Sequence, residues 1–330
     1  MGMHVLITGG AGFIGSHLAE LHLAQGHKVH VVDDFSTGSP ANIEPFVHNP
    51  DFRFTEADIA NWPELSQTVP WADRIYHMAA VVGVFRVLDE PIRVMTTNVQ
   101  GCDMLLAAVH KGGWKPQVLI ASSSEIYGPR VDDKLSEDMD LIIQPDAPPR
   151  WNYAISKLAD EALTLSYGHI HDIPVSIARL FNTVGPRQTG RYGMVIPRFV
   201  RQAVNGEPLT VFGDGQQRRS FVDVRDTVVM LDQVAGKAST EGIIVNVGHD
   251  REISIMDLAR LVIERAGSDS VIEIIPYEVA YGQPYVDIRR RRPDTRRLHS
   301  MVSHRPQWTL EATIDDLIRA ARQARDTAPA

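Results

Sequence analysis

Residues 5–15 read Val5-Leu6-Ile7-Thr8-Gly9-Gly10-Ala11-Gly12-Phe13-Ile14-Gly15, and an apolar, helix-patterned segment over 14–25 follows. This stretch decides the fold. The opening run is of strand type, and glycines then recur at every third position. Gly9 allows a tight turn, Gly12 lets the backbone approach a pyrophosphate, and Gly15 lets helix and strand pack closely, with the helix N-terminus facing the anion. Strand, glycine turn and helix in that order predict a dinucleotide site. A second strand, 28–33, ends at Asp33 about twenty residues past the turn, where an acidic residue holds an adenosine ribose. A carboxylate there accepts both ribose hydroxyls and repels a 2′-phosphate, which favours NAD over NADP. Asp34 stands beside it and is open to a shared role.

Working outward, strand-like runs follow at 52–56, 74–77, 117–122 and 175–179, with helical patterns at 97–111 and 153–169 between them. Such alternation means βαβ units and a parallel sheet. The strands are rich in Val and Ile without clean alternation, as expected when both sheet faces are covered. After Phe181 the order changes. Residues 182–219 are rich in Gly, Pro and Arg and hold one helical pattern, 195–205, and a short strand, 209–212. A helix (223–235) and strand (243–247), a helix (255–265) and strand (271–275), and a tail helix (310–324) complete the chain. The expected class is α/β: a Rossmann-type doubly wound parallel sheet with a small interleaved C-terminal α/β lobe. Residues 1–181 form the dinucleotide-binding domain, joined by about 221–250 and the C-terminal tail; the lobe within 182–330 is built mainly from about 182–220 and 251–296. The one dense charge run, Arg289–Arg292, reads as a solvated loop.

Composition narrows the function classes. The 330 residues are 44% hydrophobic, 22% charged and 7% aromatic, which excludes disorder, collagen and coiled coil as whole-chain readings. With 33 basic and 41 acidic residues the net charge is −8, a poor match for nucleic acid. The single cysteine, Cys102, excludes an intrachain disulfide framework and a cysteine-based zinc cluster. The N-terminal apolar run is too short for a signal peptide, Leu6 breaks a myristoylation pattern, and no apolar stretch has spanning length. A soluble, cytoplasmic protein is expected. No HExxH pattern occurs and His169 and His171 read as exposed, so no metal is expected; GxSxG is also absent, which argues against hydrolase chemistry.

Tyr153-Ala-Ile-Ser-Lys157 puts a phenol and an ammonium on one helix face. A free tyrosine has a pKa of about 10, so a base near neutral pH requires a drop of roughly 3 units, about 4 kcal/mol. A close lysine, aided by a bound nicotinamide cation, supplies charge of the right sign. Alone, the pair also fits a core tyrosine beside a solvated lysine. Downstream of a dinucleotide turn the catalytic reading is favoured.

With these motifs the chain resembles the extended short-chain dehydrogenase/reductases. The likeness rests on the glycine spacing, Tyr153 and Lys157, and the segment Ser122-Ser123-Ser124-Glu125-Ile126-Tyr127-Gly128 after a strand. It extends to His77-Met78-Ala79-Ala80, to Asn98 with Gly101, to Arg179-Leu180-Phe181-Asn182 with Gly185-Pro186-Arg187, and to 206–213. The resemblance implies tightly held NAD, a nucleotide-sugar substrate and a homodimer formed through a four-helix bundle. It places the cofactor against Gly9, Gly12, Phe13, Ile14, Asp33, Asp58, Ile59, Ala79, Asn98, Tyr153 and Lys157. It also implies the first step: Tyr153 removes the C4 hydroxyl proton as hydride leaves C4, Ser123 binds O4, and Lys157 holds the nicotinamide ribose and depresses the Tyr153 pKa.

The following pair separates the family's reactions. Sugar-nucleotide 4,6-dehydratases carry Asp-Glu where this chain has Ser124-Glu125, and 4-epimerases carry small or apolar residues at Glu125. UDP-glucuronate decarboxylases carry Ser-Glu. A C6 carboxylate beside a C4 ketone is a β-keto acid, so the enzyme needs mainly to bind it, stabilise an enolate and protonate C5. On this resemblance Ser124, Glu125 and Arg219 do that work, Glu125 orienting a water or positioning the carboxylate. Arg219 has a competing role, gripping the UDP diphosphate with Arg291. Asn182 binds the diphosphate, Arg191 lines the sugar site, and Phe212 packs near uracil or in the core of the small lobe. UDP-glucuronate decarboxylation, to UDP-xylose or the 4-keto pentose, is the leading expectation. A UDP-sugar 4-epimerase is second, a 4,6-dehydratase third, and a non-catalytic NAD sensor is disfavoured because Ser123, Tyr153 and Lys157 occur together.

Overall fold

The computed structural model describes residues 2–130, 133–142, 151–190, 193–282 and 287–327. Seven strands, β1 (His4–Thr8), β2 (Lys28–Asp33), β3 (Phe52–Glu56), β4 (Arg74–His77), β5 (Gln117–Ser123), β6 (Val175–Leu180) and β7 (Ile243–Val247), form one sheet. Its order is β3-β2-β1-β4-β5-β6-β7, and every neighbouring pair is parallel. The order reverses between β1 and β4, and in such sheets ligands bind in the crevice off the carboxyl ends at that point.

The unbroken apolar strands follow from burial on both faces. Val5 and Ile7 of β1 enter one core with Tyr76 and Leu119, while Leu6 enters the opposite core with Ile75, Val118 and Ile120. Helices α1 (Phe13–Ala24), α2 (Pro91–Gly112), α3 (Asn152–His171), α4 (Val195–Asn205), α5 (Val224–Ala235), α6 (Ile255–Ala266) and α7 (Leu310–Thr327) supply the covering layers and the lobe. α1 and α5 cover the first face; α2, with α3 packed along it, covers the second. α2 starts at Pro91 rather than in the expected 97–111 window. Proline suits a first turn, whose amide has no intrahelical partner, so its lack of an N–H costs nothing there.

β7 and α5 return to the large sheet from beyond Phe181. The lobe is a separate core in which Phe199 of α4, Leu258 of α6 and Ile314 of α7 meet Leu209 and Val211. Its strand pair is Leu209–Phe212 beside Ile272–Ile275, in parallel. The tail divides between the two units. Leu298 and Val302 pack in the sheet core, but α7 buries Ile314 and Ile318 in the lobe, a correction to the reading that sends the tail to the sheet. No described helix is long and apolar enough to cross a membrane.

The Arg289–Arg292 run is more than a solvated loop: Arg290–Arg291 form a short strand, and each arginine has a carboxylate in reach although Arg289 stays exposed. Arg289 pairs with Asp214 at 2.7 Å and Arg290 forks onto Glu252 at 2.6–2.9 Å. Arg291 pairs with Glu125 at 2.8 Å, and Arg292 lies 3.6 Å from Asp250. Four carboxylates remote in sequence stitch this strand-like run to the body of the protein.

Candidate active site

The turn after β1 is as tight as its sequence suggests. Gly9 has φ +69°, and a Cβ there would stand 2.6 Å from the Ala79 nitrogen. A Cβ on Gly15 would meet Gly10 Cα at 2.7 Å, so helix and turn approach too closely for a side chain. Gly12 offers no side-chain cap to α1, whose first turn has no acidic residue, which leaves its amides and dipole to an anion. At the end of β2, Asp33 is 7% exposed; its Oδ2 accepts the Ala11 amide at 3.0 Å and its Oδ1 that of Phe35 at 2.8 Å. Burial raises its pKa above the usual carboxylate value, and these amide bonds oppose the rise. Two amides hold the carboxylate in place and leave it lone pairs for a ribose. Asp58 is fixed similarly, accepting the Ala60 amide at 3.0 Å and the Asn61 side chain at 2.8 Å.

These groups open into one cavity of about 450 Å³ that continues to the small lobe. Gly9, Gly12, Phe13, Ile14, Asp33, Asp58, Ile59 and Ala79 line one end. The glycine cradle and the anchored carboxylate fit NAD. Asn98, expected against the cofactor, also makes an internal clamp. It is 2% exposed, accepts the Val81 amide at 2.7 Å and donates to Ser156 Oγ at 3.1 Å, tying the loop after β4 to α3. His77 is buried too, bonded to Thr8 Oγ1 at 2.8 Å. Burial and the Lys157 charge push its pKa down to about 3, so it is neutral.

The middle of the cavity brings together Ser123, Ser124, Glu125, Tyr153 and Lys157. β5 ends at Ser123, whose Oγ accepts the Glu125 amide at 3.2 Å and starts the turn carrying Ser124 and Glu125. α3 brings Tyr153 and Lys157 to the same cavity as Ser123, which lies close enough to the phenol to favour its ionised form. In the protein alone, burial pushes the Tyr153 pKa up, while Lys157 and Ser123 pull against it. The expected depression by Lys157 is therefore not achieved by the chain's own residues. One reason was missed in the sequence: Asp160, one helical turn on, holds Lys157 Nζ at 3.0 Å. Burial works to lower the Lys157 pKa, but Asp160, with Tyr153 and Cys102, acts against it, and the net direction is upward, so the ammonium stays charged. The i, i+3 spacing was visible; burial of both partners was not.

At the far end, the two arginines separate. Arg291 donates to Glu125 Oε1 at 2.8 Å and to Asn182 Oδ1 at 2.5 Å. Arg219 instead donates to the Ile288 carbonyl at 2.7 Å and to Asp287 at 2.9 Å, and Asp287 also accepts the Tyr277 hydroxyl at 2.9 Å. Arg291 is thus a guanidinium bonded to Glu125, a pairing the sequence reading did not foresee. Phe212 belongs to the lobe strand and faces the cavity, with the Arg198 guanidinium 3.8 Å above its ring and Tyr281 edge-on at 5.6 Å. Arg191 lies outside the described residues.

Comparison with known proteins agrees with this geometry. Residues 5–248 match the family described as "NAD dependent epimerase/dehydratase family". A UDP-N-acetyl-alpha-D-glucosaminuronate decarboxylase from Bacillus cytotoxicus is 36% identical over 323 residues, covering 96% of this chain and 97% of that protein. UDP-glucuronic acid decarboxylase 1 from Xenopus tropicalis is 34% identical over 97% of this chain and 72% of its own length. Among solved structures, a UDP-glucuronic acid 4-epimerase from Bacillus cereus, in complex with UDP-glucuronic acid and NAD, superposes with a TM-score of 0.85 at 28% identity. That match covers 98% of this chain and 100% of the other.

Proposed function

Because the chain belongs to the NAD dependent epimerase/dehydratase family, we propose that it decarboxylates a UDP-linked hexuronate, UDP-glucuronate first, through oxidation at C4. The observation that carries this reading is the cluster Ser124, Glu125 and Arg291 beside Tyr153. A dehydratase needs an acid to expel the C6 hydroxyl, and Ser124 is not one. An epimerase has no work for a carboxylate beside C5.

NAD, when bound, takes up the C4 hydride and can return it to the pentose. The chain's residues handle the rest. Tyr153 accepts the C4 hydroxyl proton, Ser123 donates to O4, and Lys157 stabilises the phenolate. Once C4 is a ketone, Ser124 and Ser123 stabilise the enolate left by CO2. A guanidinium does not give up its proton in a protein, so Arg291, paired with Glu125, binds and orients while a solvent water protonates C5 and the hydroxide it leaves is taken up by CO2 as bicarbonate. Arg219 and Asn182 line the same cavity, which supports a diphosphate role for both, and Phe212 on its wall supports a packing surface for uracil. Ile92 and Met104 of α2 and Ile170 of α3 stay exposed, which supports a homodimer through these helices.

A UDP-glucuronate 4-epimerase is the second reading, favoured by the Bacillus cereus neighbour. Proton NMR of the protein with UDP-glucuronate and NAD separates them. A UDP-xylose or 4-keto-pentose product with no remaining carboxylate is expected. UDP-galacturonate instead would establish the epimerase and remove the role given to Glu125. The 2-acetamido uronate, run in parallel, decides which C2 substituent the site takes.

A further inference from the structure

Asp160 sits directly beneath the chemistry and no role described so far uses it. Tyr153, Lys157 and Asp160 follow one another down one face of α3. The Asp160 and Lys157 side chains are 0% and 2% exposed, and their ion pair is 3.0 Å long. Asp160 Oδ1 is buried without a hydrogen-bond partner among the described residues. A half-satisfied carboxylate in such a place costs free energy that a neutral side chain would not.

The surroundings explain what it does. Charges on the neighbouring elements have their own counterions: Glu161 of α3 pairs with Arg179 at 2.9 Å, and Glu125 pairs with Arg291. Asp103 of α2 accepts the Tyr167 hydroxyl at 3.1 Å. Cys102 of α2 lies 3.9 Å from the Asp160 carbonyl, with burial holding its thiol well above the usual range, and His77 of β4 is neutral. Asp160 is therefore the carboxylate that meets the Lys157 charge. A lone ammonium acts on the phenol as a full positive charge. An ammonium paired at 3.0 Å acts as a short dipole, whose field falls off faster with distance.

We propose that Asp160 is a positioning residue of the Tyr153–Lys157 couple: paired to the buried ammonium, it offsets the field of Lys157 at the phenol, so that the chain alone holds Tyr153 protonated. The base becomes available when further positive charge arrives, which couples deprotonation to a loaded cofactor site. This inference rests on Tyr153 and Lys157 being the proton-handling pair, and not on which sugar is oxidised.

The test is an ultraviolet titration of the Tyr153 phenolate in the NAD-bound protein, read against Tyr153→Phe as the blank. Asp160→Asn removes the charge and keeps the shape; Asp160→Ser does so with a smaller group if the amide disturbs folding. Both are expected to move phenolate formation to lower pH by about one unit, a tenfold weaker hold on the proton. The acid limb of kcat/KM moves the same way with whichever sugar nucleotide turns over. Asp160→Glu, which keeps the charge, stays near the parent. A phenolate transition that is unmoved or moves upward in the neutral variants, or one that moves equally in Asp160→Glu, overturns the proposal and leaves Asp160 a packing residue. Because no sugar is present in the titration, failure of the decarboxylase reading does not affect it.

Discussion

Tyr153→Phe is expected to lower turnover about 10³-fold while the protein still binds NAD. Positioned acid–base groups contribute typically 10²–10⁴, and a thousandfold corresponds to about 4 kcal/mol of transition-state stabilisation. Cofactor retention follows from the layout. The glycine turn and Asp33 lie at one end of the cavity, whereas the phenol stands in its middle with Ser123. Removing one oxygen leaves the ring, Lys157 and the cradle in place. The measurement pairs a steady-state rate with NAD titration of the variant. A loss below tenfold would mean that another group takes the C4 proton.

The second large effect is on stability. Arg179 of β6 forks onto Glu161 of α3 at 2.9 and 3.0 Å, with both side chains 4% exposed, and the same Glu161 accepts the Ser122 hydroxyl at 2.5 Å. Arg179 also donates to the Tyr127 hydroxyl at 3.0 Å. Removing one member of a buried pair leaves an uncompensated charge, at a cost of about 3–5 kcal/mol. Arg179→Met should lower the unfolding free energy by that amount in urea denaturation. Arg179→Met combined with Glu161→Leu should recover most of it, because no orphaned charge remains. A single-variant loss below about 1 kcal/mol would show that water reaches the pair, as at surface salt bridges. The pair also bears on the site: Ser122 precedes Ser123, so the network fixes the end of β5 against the helix that carries Tyr153.

Much of the molecule was legible from local pattern. The glycine turn, Asp33 at the end of β2 and the alternation of strands with helices are local signals, and each maps onto the sheet at its expected place. Tyr153 and Lys157 share a helix face by spacing alone. What could not be read depends on long-range pairing. Glu125 and Arg291 are 166 residues apart, and nothing in either segment announces the other. The same holds for Arg290 with Glu252, which is why a run of four arginines read as solvated loop turned out to be neutralised. The bonds of Asn98 to Val81 and Ser156 were equally out of reach, because they join segments 17 and 58 residues apart. Asp160 was within reach of helix geometry. Its burial, which gives it consequence, is a property of how α2 packs along α3.

Loss of the substrate's carboxyl carbon is the event that distinguishes the proposed reaction. The most direct measurement is release of labelled CO2 from UDP-glucuronate labelled at C6, in the presence of NAD. One equivalent of labelled CO2 per sugar consumed is predicted, and release should fall about 10³-fold in Tyr153→Phe. Sugar that is consumed while the label stays in a UDP-hexuronate would rule decarboxylation out.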